Sequence, residues 1–358
     1  MNRDDVALFR RVPALARAVP WVRLGAWPTP VEPLPAIGRD VWVKREDRSS
    51  PIYGGNKVRT LEAVLGRAQA AGARTIWATG AYGSNHAVAT VMHAERAGMD
   101  AGVIMFPQPA SEAARANLGA MIARGAALVR IANVAMLPFA MRRVRRDDAW
   151  VMPPGGATPE GAMGALSAAF ELATQIEDRI VPAPSRIVLA VGSTCTTAGL
   201  LAGVHLAASL GIGFDRARLP AISAVRVTPW PVTDPWRVAS LAAKTLALAD
   251  ELRGDRTGVG LRGLRASLTV EGAYFGGGYG RATARGLRAA ARFAEHGGPP
   301  LDAVYSAKAG AALLDLAPRT DGPVLFWATK SSATLPSPSE AQLAQVDPVL
   351  RTWLSTKR

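Results

Sequence analysis

The sequence predicts an α/β protein made of two open, twisted, mostly parallel sheets, each with helices on both faces. Three observations carry that reading. Between residues 75 and 131, short apolar runs of strand length alternate with helical segments, the pattern of a parallel sheet flanked by helices. Pro153-Pro154-Gly155-Gly156 then breaks the pattern. Beyond the break, a second series of apolar strands and helices runs to residue 328. With 358 residues and 49% hydrophobic content, the chain can bury two cores.

Residues 1–40 are rich in proline and irregular, with one short helix expected near residues 6–11. Trp27-Pro28-Thr29-Pro30-Val31 reads as an extended lead into a strand at 41–43. A helix begins near Lys57, directly after Gly54-Gly55. Residues 75–78 form a buried strand, 80–86 a turn and 87–97 a helix. A second strand follows at 101–106, then a helix at 111–124 that Ser111 can cap. Residues 126–131 are a third strand, and a helix runs through Arg142-Arg143-Val144-Arg145-Arg146. A longer helix spans 159–178. The second series has strands at 187–191, 221–228, 267–271, 303–305 and 324–328. No sequence repeat and no low-complexity linker intervenes.

Composition narrows the function. A net charge of +14 raises the question of a polyanion partner. Arginine is spread along the whole chain, however, and the dense run at 142–146 is followed at once by Asp147 and Asp148. No aromatics interleave with it, as a single-strand binder would need, so no nucleic-acid partner is expected. Cys195 is the single cysteine, which excludes an intrachain disulfide and a cysteine-cluster metal site. His86 and His93 share a helix face two turns apart, too far to hold one metal directly, and no metal is expected. The first 17 residues carry Asp4, Asp5 and several arginines without the apolar core of a signal peptide. The most apolar stretch, 187–210, is interrupted by Gly-Ser-Thr-Cys-Thr-Thr, which argues against a membrane span. A soluble, cytoplasmic protein is the expectation.

The chemistry begins at Gly54-Gly55-Asn56-Lys57. Glycine permits backbone conformations closed to other residues, and a lysine in the first turn of a helix sits in positive potential, which eases its deprotonation. A neutral lysine amine can form a Schiff base with an aldehyde. Farther on, the strand at 187–191 runs into Gly192-Ser193-Thr194-Cys195-Thr196-Thr197-Ala198-Gly199 and a helix. Small residues and hydroxyls at a helix start suit a phosphate dianion. Gly83-Ser84-Asn85-His86 lies at another strand-to-helix turn, a second place for an anion. Cys195 reads as a small buried filler within the first loop.

Taken in order, these segments resemble the D-cysteine desulfhydrase and 1-aminocyclopropane-1-carboxylate deaminase family. Those enzymes use pyridoxal 5'-phosphate and resemble the tryptophan synthase β subunit in fold (fold type II). The resemblance runs from Trp27 to Ser332. It implies that Lys57 carries the cofactor beside Asn56, that Gly192, Ser193, Thr194, Cys195, Thr196 and Thr197 hold its phosphate, and that Asn85 bonds the ring's phenolic oxygen. Ser84 is implied to face the substrate, with Asn85 and His86 beside it, and His86 is expected to shape the loop rather than transfer protons. Tyr279, in Gly276-Gly277-Gly278-Tyr279-Gly280, and Tyr305, in Val304-Tyr305-Ser306-Ala307-Lys308, are implied over substrate and cofactor. Thr329 falls where the family places its residue near the pyridine nitrogen. The deaminase branch carries Glu after the second tyrosine and Leu at the strand end. Ser306 and Thr329 stand there instead, so Ser306 is expected beside the substrate and the desulfhydrase side is favoured.

The expected activity is β-elimination from a small amino acid, D-cysteine foremost, giving a 2-oxo acid and ammonia. Aminocyclopropanecarboxylate deamination, and racemisation or β-replacement on another substrate, are the alternatives within the fold. A non-catalytic homologue is the alternative outside it. Where family members continue with two glycines, Lys330-Ser331 follows Thr329, and Lys330 is expected to point at the cofactor wall. The resemblance also implies a homodimer, and a large cofactor domain of residues 1–59 and 176–358 enclosing a small domain of 60–175.

Overall fold

Alternating apolar runs and helices close into two separate sheets. The computed structural model describes residues 5–356. Ten strands are present among them: β1 Val31–Pro33, β2 Val41–Lys44, β3 Thr75–Ala81, β4 Asp100–Phe106, β5 Ala127–Arg130, β6 Ala149–Val151, β7 Arg186–Val191, β8 Ala221–Arg226, β9 Leu268–Glu271 and β10 Val324–Trp327. They form a six-stranded sheet of order β1-β2-β10-β7-β8-β9 and a four-stranded sheet of order β5-β4-β3-β6. Every pairing is parallel except β1 with β2.

The last strand is inserted between early and middle ones. β10 pairs with β2, with Trp327 opposite Lys44, and with β7, with Val324 opposite Arg186. Alternation along β10 fills two cores, because successive side chains leave a strand on opposite faces. Leu325 and Trp327 join Leu166, Phe170 and Leu200 on one face, while Val324 and Phe326 join Val43, Val188 and Phe293 on the other. The four-stranded sheet has its own core around Ile76, Val88, Val103 and Leu118. In open parallel sheets, ligands bind outside the carboxyl ends of the strands. Here β2, β7, β8 and β10 send the loops around Lys57, Ser193, Thr228 and Thr329 to one end of their sheet.

Several sequence expectations change. Residues 303–305 are a turn leading into the helix Ser306–Leu316, and form no strand. The Asp302 carboxylate accepts the backbone N–H groups of Val304, Tyr305 and Ser306, and such local bonding competes with a strand ladder. β3 continues through Gly80 and Ala81, which the sequence placed in a turn. β1, β6 and the helix Pro13–Ala18 were not expected. They are very short, and periodicity needs more residues to show.

The two-domain division stays a proposal, and packing bears on its edges. The helix Pro159–Glu177 buries Leu166, Phe170 and Leu172 in a core of the six-stranded sheet. Leu350, in the helix Pro348–Ser355, is buried in the core of the four-stranded sheet. Among the described residues, no helix is long and apolar enough to cross a membrane, and no group of three or more His, Cys, Asp or Glu could hold a metal.

Candidate active site

The loop ahead of Lys57 is fixed by a buried ionic network. Arg59 donates to Glu46 at 2.7 Å and to Glu171 at 2.9 Å, and Lys44 donates to Glu171 at 2.5 Å. Trp27 covers the Arg59 guanidinium, 3.6 Å from the ring centroid. Burial favours the neutral acid, yet Arg59 and Lys44 hold the Glu171 carboxyl down to about 2. The network ties β2 and the start of the helix Lys57–Ala70 to the helix Pro159–Glu177. Gly55 adopts φ +91°, and a Cβ there would lie 2.5 Å from the Thr329 carbonyl oxygen. That close approach lets Asn56 N–H donate to the Thr329 carbonyl at 3.2 Å.

A cavity of about 860 Å³ lies between the strand ends of the two sheets. Lys57, Asn56, Ser84, Asn85, His86, Gly192, Ser193, Thr194, Thr196, Thr197, Tyr279, Tyr305 and Thr329 all line it, so one space brings together nearly the whole expected site. Lys57 Nζ is 3.1 Å from Ser193 Oγ and 3.1 Å from the Gly155 carbonyl. Burial pulls its pKa below the ordinary lysine value. Desolvation causes this shift, where the sequence pointed to the helix start.

The loop after β7 fits a phosphate. Thr194 is left-handed at φ +71° and caps the helix Cys195–Ser209 without a side-chain bond, so the first N–H groups of that helix are open to a ligand. Among the described residues, Thr197 Oγ1 is buried without a partner. Asn56 Nδ2 donates to Thr196 Oγ1 at 2.6 Å, fixing that hydroxyl. Cys195 is turned away: its thiol donates to the Gly156 carbonyl at 3.3 Å and burial pushes its pKa up. Only the backbone of Cys195 can serve the phosphate. An open helix start, with the orphaned hydroxyl of Thr197 among the residues lining the lysine's cavity, is what a phosphorylated aldehyde cofactor requires.

On the opposite wall, Ser84 caps the helix Asn85–Ala94 and its Oγ accepts the Ala87 N–H at 3.3 Å. Both ring nitrogens of His86 are buried and unpartnered, and burial followed by the nearby Lys57 charge keeps the ring neutral. Tyr279 and Tyr305 bring their hydroxyls to 2.5 Å.

Ser306 does not reach the cavity. It is 2% exposed, its Oγ donates to Asp302 at 2.8 Å and it accepts the Asp302 N–H at 2.7 Å. The expectation of a substrate contact at Ser306 is therefore corrected. Lys330 also turns from the place expected of it. Its Nζ lies 3.3 Å from Tyr53 Oη, 3.2 Å from Asn85 Oδ1 and 3.4 Å from Asn117 Oδ1, and it is not part of the cavity wall. Sequence reasoning missed Tyr53, Asn117, Asp302 and Gly155. Tyr53 stands directly before Gly54-Gly55-Asn56-Lys57 and Gly155 in the noted Pro-Pro-Gly-Gly break, but neither was given a role, and Asn117 and Asp302 sit in no motif. Past the lysine, the cavity continues to Trp236, Arg237, Ser240, Leu241 and Lys244 on one helix.

Residues 22–329 match the family model described as pyridoxal-phosphate dependent enzyme. The chain is 34% identical over 327 residues to nocardicin C-9' epimerase of Nocardia uniformis subsp. tsuyamanensis, covering 88% of this chain and 94% of that protein. It is 30% identical over 336 residues to D-cysteine desulfhydrase of Salmonella paratyphi A, covering 88% and 95%. The crystal structure of an ACC deaminase homologue superposes with a TM-score of 0.72 at 28% identity, covering 93% of this chain and 96% of that one.

Proposed function

The chain belongs to the family of pyridoxal-phosphate-dependent enzymes, with the tryptophan synthase β-like fold, and from that premise we propose that it is an amino-acid lyase or deaminase acting at the substrate α-carbon. The observation that carries this is Lys57 Nζ, buried with a lowered pKa and 3.1 Å from Ser193 of the phosphate-type loop. Lys57 would hold the cofactor aldehyde, and the N–H groups and Thr197 hydroxyl of the loop after β7 would hold its phosphate. The bound cofactor supplies an electron sink for negative charge at the α-carbon.

The remaining work falls to side chains. Ser84, at a helix start, orients the substrate carboxylate by hydrogen bonding and by the positive end of the helix. Lys57 Nζ, freed by the incoming amine, takes the α-proton; its lowered pKa makes it a base at lower pH than an ordinary lysine. The hydroxyl pair of Tyr279 and Tyr305 passes a proton to the leaving group. Thr329 lines the cavity, and a neutral hydroxyl is too weak an acceptor to hold a pyridine nitrogen protonated as a carboxylate would. That favours elimination, where charge is discharged at once into a leaving group.

The finer reading remains D-cysteine desulfhydrase-like elimination, with aminocyclopropanecarboxylate deamination as its neighbour. With Ser306 bound to Asp302, the choice between those branches rests on Thr329 alone. A second reading is inversion at the α-carbon of a larger amino acid. The favouring observation is the cavity's extension to Trp236, Leu241 and Lys244, more room than a cofactor and a three-carbon amino acid fill. A full-length relative named as an epimerase agrees with it. Purified enzyme should be incubated with D- and L-amino acids, small and aryl-substituted, in deuterated water. A 2-oxo acid from D-cysteine supports elimination. Deuterium at the α-carbon of recovered larger substrates, without a 2-oxo acid, supports inversion. Neither signal from any amino acid counts against an enzyme of either kind.

A further inference from the structure

Lys330 lies just beyond the end of β10, and its surroundings give it a task. Its ammonium is enclosed by Asn85 Oδ1 at 3.2 Å, Tyr53 Oη at 3.3 Å and Asn117 Oδ1 at 3.4 Å, and lies 5.3 Å from the Tyr53 ring centroid. An ammonium only donates, so the atoms facing it are the side-chain oxygens of both asparagines. Asn117 closes the arrangement: its Nδ2 donates to Asn85 Oδ1 at 2.8 Å and to the Gly83 carbonyl at 2.8 Å. Tyr53 Oη also lies 3.2 Å from Asn85 Oδ1.

Among the described residues, every protein partner of the Asn85 side chain therefore gathers on its oxygen. The amide has two ends, and the other end, Nδ2, is left for the cavity that Asn85 lines. We propose that Lys330 is a positioning residue: with Asn117 and Tyr53 it pins the Asn85 oxygen, so that the Asn85 NH2 group is presented to the cofactor as a donor. An unpinned asparagine could turn its oxygen to the cavity and offer repulsion to an oxygen on the cofactor ring.

The same segment explains how the pin is held. Gly54 N–H donates to Ser331 Oγ at 2.9 Å, Asn56 N–H to the Thr329 carbonyl at 3.2 Å, and Ser332 Oγ to the Asp47 carbonyl at 3.0 Å. Residues 329–332 are thus stitched to the loop that carries Lys57, while Lys330 reaches across to Asn85 and Asn117 on helices flanking the four-stranded sheet. One side chain links the cofactor lysine's loop to the wall opposite it.

The inference rests on Asn85 contacting the cofactor, and the test separates the two. Pyridoxal 5'-phosphate is titrated by absorbance into cofactor-stripped wild type, Lys330→Met, Asn85→Ala and the double variant. Lys330→Met should raise the dissociation constant about fivefold in the wild-type background and leave it unchanged in the Asn85→Ala background. Lys330→Gln, which keeps a donor, should recover part of the loss. An equal loss in both backgrounds, or none in either, overturns the positioning role while Asn85 keeps its own. If Asn85→Ala binds the cofactor as wild type does, both claims fall. Should Lys330→Met not fold, Asn117→Ala takes its place in the same cycle with the same expected coupling.

Discussion

The hydroxyls of Tyr279 and Tyr305 lie 2.5 Å apart, with the rings edge to face at 83°. Burial raises the pKa of both, and for Tyr305 the neighbouring Tyr279 raises it further. Both therefore stay protonated at neutral pH, and one hydroxyl must donate to the other. Asp302 fixes the approach by accepting the Tyr305 N–H at 2.8 Å. Tyr305→Phe should keep the cofactor but lower kcat by about 10²-fold, the size of a lost proton-transfer group. Because both hydroxyls titrate above the ordinary tyrosine value, wild-type activity should show no loss from tyrosine ionisation below pH ~10. Single-turnover kinetics across pH checks both statements.

Thr197 Oγ1 is buried and unpartnered at the start of the helix Cys195–Ser209. A hydrogen bond to a charged group contributes about 1.5 to 3 kcal/mol. Thr197→Val keeps the shape and removes the donor, so cofactor affinity should fall roughly tenfold or more. Equilibrium dialysis measures it, and unchanged affinity would place the phosphate elsewhere.

Glu171 is the acidic hub beneath the Lys57 loop. Glu171→Gln would leave Lys44 and Arg59 buried with less counter-charge, and breaking a buried pair costs about 3 kcal/mol or more. Denaturant unfolding should show that loss. The sign with pH follows from the folded-state value of about 2, below the ordinary 4.5. The stabilisation is fully present above pH ~4.5 and disappears as pH falls towards 2. Acid unfolding in that window should be milder in Glu171→Gln than in wild type.

The sheets were legible where apolar runs were long enough to show their period: β7, β4 and β8 lie within a residue or two of expectation. Residues 303–305 misled because Val304 and Tyr305 look strand-like, and only the fold reveals the Asp302 cap. The residues that meet in the cavity were legible at Lys57, Ser84, Asn85 and the loop after β7, where glycine and hydroxyls stand in recognisable order. Ser306 and Lys330 were named, but a sequence does not tell which way a side chain turns at a helix start or strand end. Tyr53 precedes the Gly-Gly-Asn-Lys motif without a chemical reading of its own, and Asn117 carries no motif. They meet only because β10 is inserted beside β2 and brings residue 330 against them.

Lys57 as the cofactor's covalent anchor is the central claim, and absorbance with pyridoxal 5'-phosphate tests it directly. Wild-type protein should be yellow after dialysis, because the lysine imine absorbs in the visible. Lys57→Ala should fold with the same circular dichroism and, after the same dialysis and with no added amine, show no yellow band. A folded Lys57→Ala protein that keeps the band would place the anchor on another lysine and contradict the account.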